Sequence, residues 1–357
     1  MAHASTRRGF LQATGIAGSL GLAGRLRAET FAKQEYEMNL ATAYKLGTTE
    51  HYPVMQQGFK ENLEEESDGQ ITVNLQPNAV LGAGTELAKK VQNGTVEAAQ
   101  FSFSNFSPYA SAVDLVNLPY FAGTNQQFVN LVTSEVWQTE VHAKVRQNGF
   151  EPLFYLVIDP RAIALRKGID EPIKRTEDME GLKHRIPGSD ILKQAWEMTG
   201  ANPTPIAWGE TPSAMQEGVA DSLHTAPQAY VAFGFTDLLS HITLINMVED
   251  AQVYAMNKSW YDNLSDDLRQ AVDRASEKTF QQNLEQVPKS RENSYAVLED
   301  AGVEFHELSD SELSAWKETV GFQRSEWESY KQELAGDMET FRQLEEATQR
   351  ESDYTVN

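Results

Sequence analysis

The chain contains no cysteine. That excludes disulfides, Cys-ligated zinc, iron–sulfur clusters and a lipid-modified N-terminal cysteine. Long apolar runs are scarce: beyond the N-terminal segment, none approaches the roughly 18 residues that a membrane helix needs. The seven histidines are scattered, and none shows the i, i+4 spacing of a metalloprotease helix. Neither a Gly-x-Ser-x-Gly elbow nor a phosphate-binding loop is present. Basic residues are also few, 30 against 52 acids, for a net charge of −22. That balance argues against a nucleic-acid surface and suits a saline milieu.

What is there begins at the N-terminus. Thr6-Arg7-Arg8-Gly9-Phe10-Leu11-Gln12 reads as a twin-arginine export motif, followed by a weakly apolar Gly/Ala-rich run to Gly24. Residues 1–28 are read as this signal, and cleavage sites fit after Ala28 and after Ala32. Removing the segment takes away four arginines and no acid, so the net charge moves from −22 to −26. The remainder is expected as a soluble protein outside the cytoplasm. Its length suits two domains of about 100–200 residues each.

The most informative stretch runs from Gly181 to Thr225. Leu182, His184 and Ile186 alternate as one face of a strand, so Lys183 and Arg185 face the other way. Pro187-Gly188 ends that strand, Ser189 caps a helix, and Ile191, Leu192, Ala195 and Trp196 form its apolar stripe before Gly200. An extended segment, Ala201–Trp208, leads to a short helix opened by Thr211-Pro212 and closed by Gly218. Val219–Thr225 returns as a strand. The result is a β-α-β-α-β unit with Arg185 near the end of its first strand, where open α/β sheets bind ligands. The guanidinium offers a planar fork that matches a carboxylate with two parallel hydrogen bonds.

Within this stretch, GLKHRIPGS, GANPTPIAWGE and MQEGVADS resemble the central signature of the solute-binding proteins of TRAP (tripartite ATP-independent periplasmic) transporters. The resemblance implies an α/β fold of two lobes, with crossing hinge strands and a long bracing helix. It implies lobe I at 41–160 with 251–290, lobe II at 161–250 with 291–347, and a disordered tail at 348–357. It further implies periplasmic capture of a small organic carboxylate and delivery to the membrane subunits of a TRAP permease. No cofactor, no metal and no nucleic acid are expected, and the protein is expected to be a monomer. A Tat-exported enzyme with a cofactor not bound by cysteine, or a carboxylate-sensing module, are the alternative readings.

By the same resemblance Arg185 is the carboxylate anchor and Arg161 corresponds to the family's second arginine, with an interdomain ion pair as its other reading. Phe101, Ser102 and Asn105 fall at ligand-contact positions, although Phe101 and Phe103 also read as core. Trp208 forms an apolar wall or packs in the core. Glu210 accepts from ligand hydroxyls or caps local backbone. Thr225 stands where many members carry asparagine in an acid-Asn-Pro triplet, here His224-Thr225-Ala226. Thr49, in the polar turn 48–52, completes the set.

Along the rest of the chain, Tyr44–Gly47 reads as the first strand and Ile71–Leu75 as the second. A helix stripe runs through Met55, Phe59 and Leu63. The acid run Glu64–Asp68 reads as a solvated helix end stopped by Gly69. Leu81–Glu86 lacks the third glycine of a dinucleotide loop and reads as a turn into a helix at 86–93. Val96–Phe103 reads as a strand, 125–147 as a helix, and Pro160–Leu165 as a crossing strand. Thr243–Met256 holds two strands leading back to lobe I. Ser265–Ala301 is one long helix, and 309–347 holds further amphipathic helices.

The export reading is tested by converting Arg7 and Arg8 together to lysine and fractionating cells. Mature protein is expected to vanish from the periplasm, as it should in cells lacking the Tat machinery. Undiminished periplasmic protein in either case removes the assignment.

Overall fold

The computed structural model describes residues 35–47 and 50–356. The export segment and Thr49 lie outside the described residues. Eleven strands occur among the described residues: β1 (Tyr36–Ala41), β2 (Ile71–Gln76), β3 (Ala98–Ser102), β4 (Phe150–Leu156), β5 (Ala162–Arg166), β6 (Lys183–Ile186), β7 (Asn202–Pro205), β8 (Ser222–Thr225), β9 (Leu239–Leu244), β10 (Gln252–Asn257) and β11 (Glu304–Glu307). They form two mixed sheets, in the orders β2-β1-β3-β10-β4 and β11-β9-β5-β8-β6-β7. Helices cover the sheets, giving the two-lobed α/β fold that the resemblance implies.

The first strand is not where the sequence pattern put it. Tyr36–Ala41 pairs in parallel with Ile71–Gln76, residue for residue, while Tyr44–Gly47 forms a bend and turn. The cause is local. Thr42 Oγ1 accepts the Tyr44 backbone N–H at 3.1 Å, which turns the chain out of the sheet and carries Tyr44 towards the space between the lobes. The helix expected over 125–147 is likewise interrupted. It runs from Asn125 to Val132, then the hydroxyls of Thr133 and Ser134 back-bond to Val129 and Leu131. A π-turn at Trp137–Val141 leads into a last helix, His142–Gln147. The strand expected over Val96–Phe103 is shorter, because Phe103 begins a helical turn, Phe103–Phe106, and buries its ring against Phe128 and Tyr155.

Two segments cross between the sheets. β4 belongs to the first sheet and β5 to the second; β9 belongs to the second and β10 to the first. Between them the two crossings are knitted side by side. Pro160 bridges Glu249, Arg161 N–H donates to the Val248 carbonyl at 2.8 Å, and Asp250 N–H donates to the Asp159 carbonyl at 3.1 Å. Asp159 is buried and takes both Nε and Nη2 of Arg291, at 2.9 and 2.6 Å, together with Asn125 Nδ2 at 2.8 Å.

Arg291 comes from the long helix, Asp266–Asp300, whose 35 residues span about 50 Å at 1.5 Å each. Ser265 caps it, with Asp266 and Asp267 in its first turn where the helix dipole favours acid. Thr279 and Asn62 tie it to the helix Gln56–Glu66, and Lys278 and Arg274 meet Glu65 and Glu66 of the acid run. Asn283 is fully buried on this helix. Its Oδ1 accepts Val157 N–H at 2.8 Å and its Nδ2 donates to the Val157 carbonyl at 3.0 Å, so one side chain supplies the crossing segment with the two bonds a neighbouring strand would give.

The C-terminal part departs from the expected lobe boundaries. Trp316, on the helix Asp310–Val320, packs on Trp196 and donates to the Lys174 carbonyl, both in lobe II. The helices Glu328–Ala335 and Met338–Gln349 instead pack on lobe I: Lys144 Nζ donates to the carbonyl oxygens of Leu334 and Ala335, and Phe341 stacks on Phe121. Residues 352–356, expected to be disordered, lie back on the same lobe. Gln126 Nε2 donates to the Tyr354 carbonyl at 3.0 Å, Val356 N–H donates to Gln126 Oε1 at 3.1 Å, and the Tyr354 ring meets Phe280. A glutamine on a helix surface supplied both bonds that an otherwise solvated tail backbone needs.

Replacing Asn283 by alanine leaves the Val157 N–H and carbonyl buried without these partners, a cost of roughly 2–6 kcal/mol at about 1–3 kcal/mol per orphaned group. Urea unfolding of Asn283→Ala should show that loss. Asn293→Ala, which removes an exposed 3.3 Å bond to the Glu50 carbonyl, should change stability by less than about 0.5 kcal/mol.

Candidate functional site

A cavity of about 630 Å³ lies between the sheets, within the usual range of about 300–1,000 Å³ for small-molecule sites. Its walls are built from the carboxyl ends of three parallel strands in each sheet. Tyr44 follows β1, Asn78 and Ala79 follow β2, Ser102 ends β3, Arg185 lies in β6, Trp208 follows β7 and Thr225 ends β8. This is the position open α/β sheets offer to ligands. Asn78 and Ala79 hold left-handed φ angles of 58° and 57°. The strain is held by their N–H groups, which donate to the Tyr44 and Thr42 carbonyls at 2.9 and 3.0 Å.

Arg185 is 4 % exposed. Among the described residues, the one hydrogen bond of its side chain runs from Nε to the Ile206 carbonyl, 3.0 Å. The guanidinium carbon sits 5.2 Å from the Trp208 ring centroid, a cation–π contact. The Nε bond and the indole hold the fork in place and leave its terminal nitrogens for a guest. Burial, followed by the nearby Arg161 charge, lowers the Arg185 pKa to about 9. The group is therefore still a cation at neutral pH, and it is held at a cost that an anion would relieve.

Arg161 is differently placed. Its Nη2 pairs with Asp250 Oδ1 at 2.8 Å, and both side chains are buried. The other Asp250 oxygen accepts Thr225 Oγ1 at 2.6 Å and the Ala226 N–H at 3.1 Å. The ion-pair reading of Arg161 is thus present in the structure, inside the cavity wall. Thr225 lines the cavity as well, with its hydroxyl proton already given to Asp250.

Of the remaining expected residues, Phe101, Ser102 and Asn105 line the cavity. Phe101 also stacks on Phe106, 5.4 Å between centroids, so it belongs to the core as well as to the cavity wall; Phe103 is core alone. Trp208 forms a wall with Phe233, 5.1 Å away and edge-on. Glu210 does not reach the cavity. It lies exposed at the start of the helix Thr211–Gln216, because the short turn Trp208–Glu210 aims the tryptophan inward and the glutamate outward.

The sequence reading missed several lining residues. Tyr44, Gln252 and Tyr52 form a linked set: Tyr44 OH donates to Gln252 Oε1 at 3.1 Å and Gln252 Nε2 donates to Tyr52 OH at 3.2 Å. Burial pushes both tyrosine pKa values up, so these hydroxyls stay protonated. Gln100 Oε1 accepts from Thr42 and Tyr254, while its Nε2 is buried with no partner. Gln100 and Gln252 face each other's neighbours across the β3–β10 ladder. Their only sequence signal was a polar residue on an otherwise apolar strand.

Residues 41–331 match the bacterial extracellular solute-binding proteins, family 7. The chain belongs to that family. The C4-dicarboxylate-binding periplasmic protein of Rhodobacter capsulatus is 25% identical over 264 residues, covering 73% of this chain and 78% of its own. The ectoine-binding periplasmic protein of Halomonas elongata is 23% identical over 292 residues, 81% of each chain. A TRAP periplasmic solute-binding protein of Roseobacter denitrificans, solved with bound β-D-glucuronate, has a TM-score of 0.79 at 20% identity and covers 88% of this chain and 100% of its own.

In this family 7 protein, His184 and His224 are brought together behind the binding strands. His184 Nε2 lies 2.9 Å from His224 Nδ1, and Trp196 packs on both rings. Burial lowers the His184 pKa to about 3 and depresses that of His224 as well, so both rings are neutral packing partners. No cluster of metal-binding side chains occurs among the described residues. A second cavity, about 430 Å³, lies between β4 and the long helix, but its charges are satisfied, Arg146 by Glu151 and Asp273 by Tyr261.

The two arginines should respond oppositely to truncation. Arg161→Ala strands the buried Asp250 carboxylate and should cost about 3–5 kcal/mol of stability. Arg185→Ala removes a cation that has no ionic partner among the described residues and should leave the unliganded melting temperature unchanged or raised. Thermal melts of both variants without ligand check the contrast.

Proposed function

We propose that this protein captures a small organic carboxylate outside the cytoplasm and delivers it to a TRAP-type membrane permease, after export by the twin-arginine route. The observation that carries the reading is Arg185: a buried guanidinium, pinned by the Ile206 carbonyl and Trp208, with its terminal nitrogens turned to an aromatic-walled cavity. A carboxylate supplies the missing counter-charge and two acceptors in one plane. Arg185 is the anchor. Phe101 and Trp208 enclose the ligand body, Ser102 and Asn105 contribute polar contacts, and Arg161 with Thr225 shapes the wall. The lobes close over the ligand by bending at the crossings near residues 157–161 and 248–250.

The family consists of binding proteins, and the site fits that role. The buried carboxylate of the cavity, Asp250, is already bonded on both oxygens, to Arg161, Thr225 and the Ala226 N–H.

The experiment is a thermal-shift screen of the purified protein against organic acids, followed by calorimetry. At least one acid should raise stability, by about 2.7 kcal/mol at one hundred times its Kd. For that acid, Arg185→Ala should weaken binding by roughly 30- to several-thousand-fold, the range for unpairing a buried charge. Arg185→Lys should also bind poorly, because it keeps the charge and loses the fork. A folded Arg185→Ala protein that binds within about threefold of the parent overturns the reading.

A further inference from the structure

We propose that the site selects carboxylates carrying a single negative charge and a neutral far end, and that Asp250 is the residue that rejects a second carboxylate. The inference rests on the carboxylate reading above and goes past it to the class of acid.

The argument is a charge count inside the cavity. Three charged side chains are both buried and cavity-lining among the described residues: Arg161, Arg185 and Asp250. Lys45 and Glu86 also line it, but both are exposed at the mouth, where water screens them. The buried set therefore carries one net positive charge. Arg161 and Asp250 neutralise each other at 2.8 Å, and Asp250 is locked in that position by Thr225 Oγ1 and the Ala226 N–H. Arg185 alone lacks an ionic partner. One carboxylate balances the site. A dianion would place its second carboxylate in a partly desolvated space with no free cation, and near Asp250, where like charges repel.

The opposite wall says what the far end of the ligand should be. Gln100 is 4 % exposed, and its Oε1 is occupied by Thr42 Oγ1 at 3.1 Å and by Tyr254 OH at 3.2 Å. Both partners are hydroxyls, which donate or accept, and the Tyr254 proton also meets the Val54 carbonyl, so this part of the wall is hydrogen-bonding and uncharged. Gln100 belongs to β3 of the first sheet and Arg185 to β6 of the second, so the two lie on facing lobes. A neutral far end suits that uncharged wall, and a second carboxylate would find no buried cation there among the described residues.

The test uses matched acids that differ only in one terminal group, CH2OH or carboxylate: D-gluconate with D-glucarate, D-galactonate with D-galactarate, 5-hydroxypentanoate with glutarate, and 4-hydroxybutanoate with succinate. Binding to the parent protein is measured by calorimetry at pH 7 and fixed ionic strength. In every pair that binds, the monocarboxylate should bind more tightly, by about tenfold or more. Asp250→Asn frees Arg161 and keeps acceptor and size, so the dicarboxylate should gain and the gap within each pair should close or reverse. Melting temperature checks that this variant is folded; if it is not, the parent comparison still decides. A dicarboxylate binding as tightly as its monocarboxylate partner overturns the proposal while leaving the carboxylate reading intact. So does failure of all eight probes when another acid binds through Arg185. If no acid binds at all, both readings fall together.

Discussion

The structure depends on how two crossing segments are held together between the sheets. A crossing chain leaves one sheet before it joins the next, so its N–H and carbonyl groups lose their ladder partners where they are most deeply buried. Here the gap is closed three ways. The segments bond to each other at residues 159–161 and 248–250, Asn283 satisfies both backbone groups of Val157, and Glu249 Oε1 takes the Ile158 N–H. Burial and the neighbouring Asp159 charge push the Glu249 pKa well above the usual carboxylate range. Asp159, by contrast, faces Arg291 of the long helix in a bidentate pair. The brace and the crossings are therefore one polar unit.

The same unit furnishes the binding wall. Arg161 and Asp250 line the cavity from the two crossings, and their own backbone N–H groups make the bonds that knit the segments. Their pairing is structural and functional at once: it holds the crossings in register, and it sets the net charge of the cavity. Arg185 is held separately by β6 and Trp208. One arginine can be spent on the architecture because another is left for the guest.

Electrostatics at long range work against such a ligand. A chain at −22 repels anions, but salt limits that repulsion to about 8 Å at physiological strength and about 3 Å at 1 M. Inside the cavity the screening is weaker and the local excess is positive, so attraction begins where repulsion from the surface has faded. An acidic surface and an anion site are compatible because the Debye length separates them.

Much of this was legible in the residue order. Alternation around Arg185, the Ser189 and Ser265 caps, Gly200 and Gly218 at left-handed turns, and the long helix are local features, set by interactions within a few residues. They appear where the pattern puts them, and Arg185, Trp208, Phe101, Ser102 and Asn105 meet at one cavity as the family resemblance implies. The first strand was misplaced because both Tyr36–Ala41 and Tyr44–Gly47 look extended, and pairing with β2, not propensity, chooses between them. β11 and the docked C-terminal tail depend wholly on distant partners, β9 and Gln126. Glu210 and Asp250 show the limit most clearly. An acid beside Trp208 looked like a ligand contact and points to solvent, while Asp250, within Thr243–Met256 and given no role in the sequence reading, pairs with Arg161 from eighty-nine positions away. Local order determined which elements form and which strand ends carry a cation. Only the tertiary structure decided which charges cancel, because Coulomb attraction in a buried site depends on separation in space and exclusion of water, and neither is written in the spacing of residues along the chain.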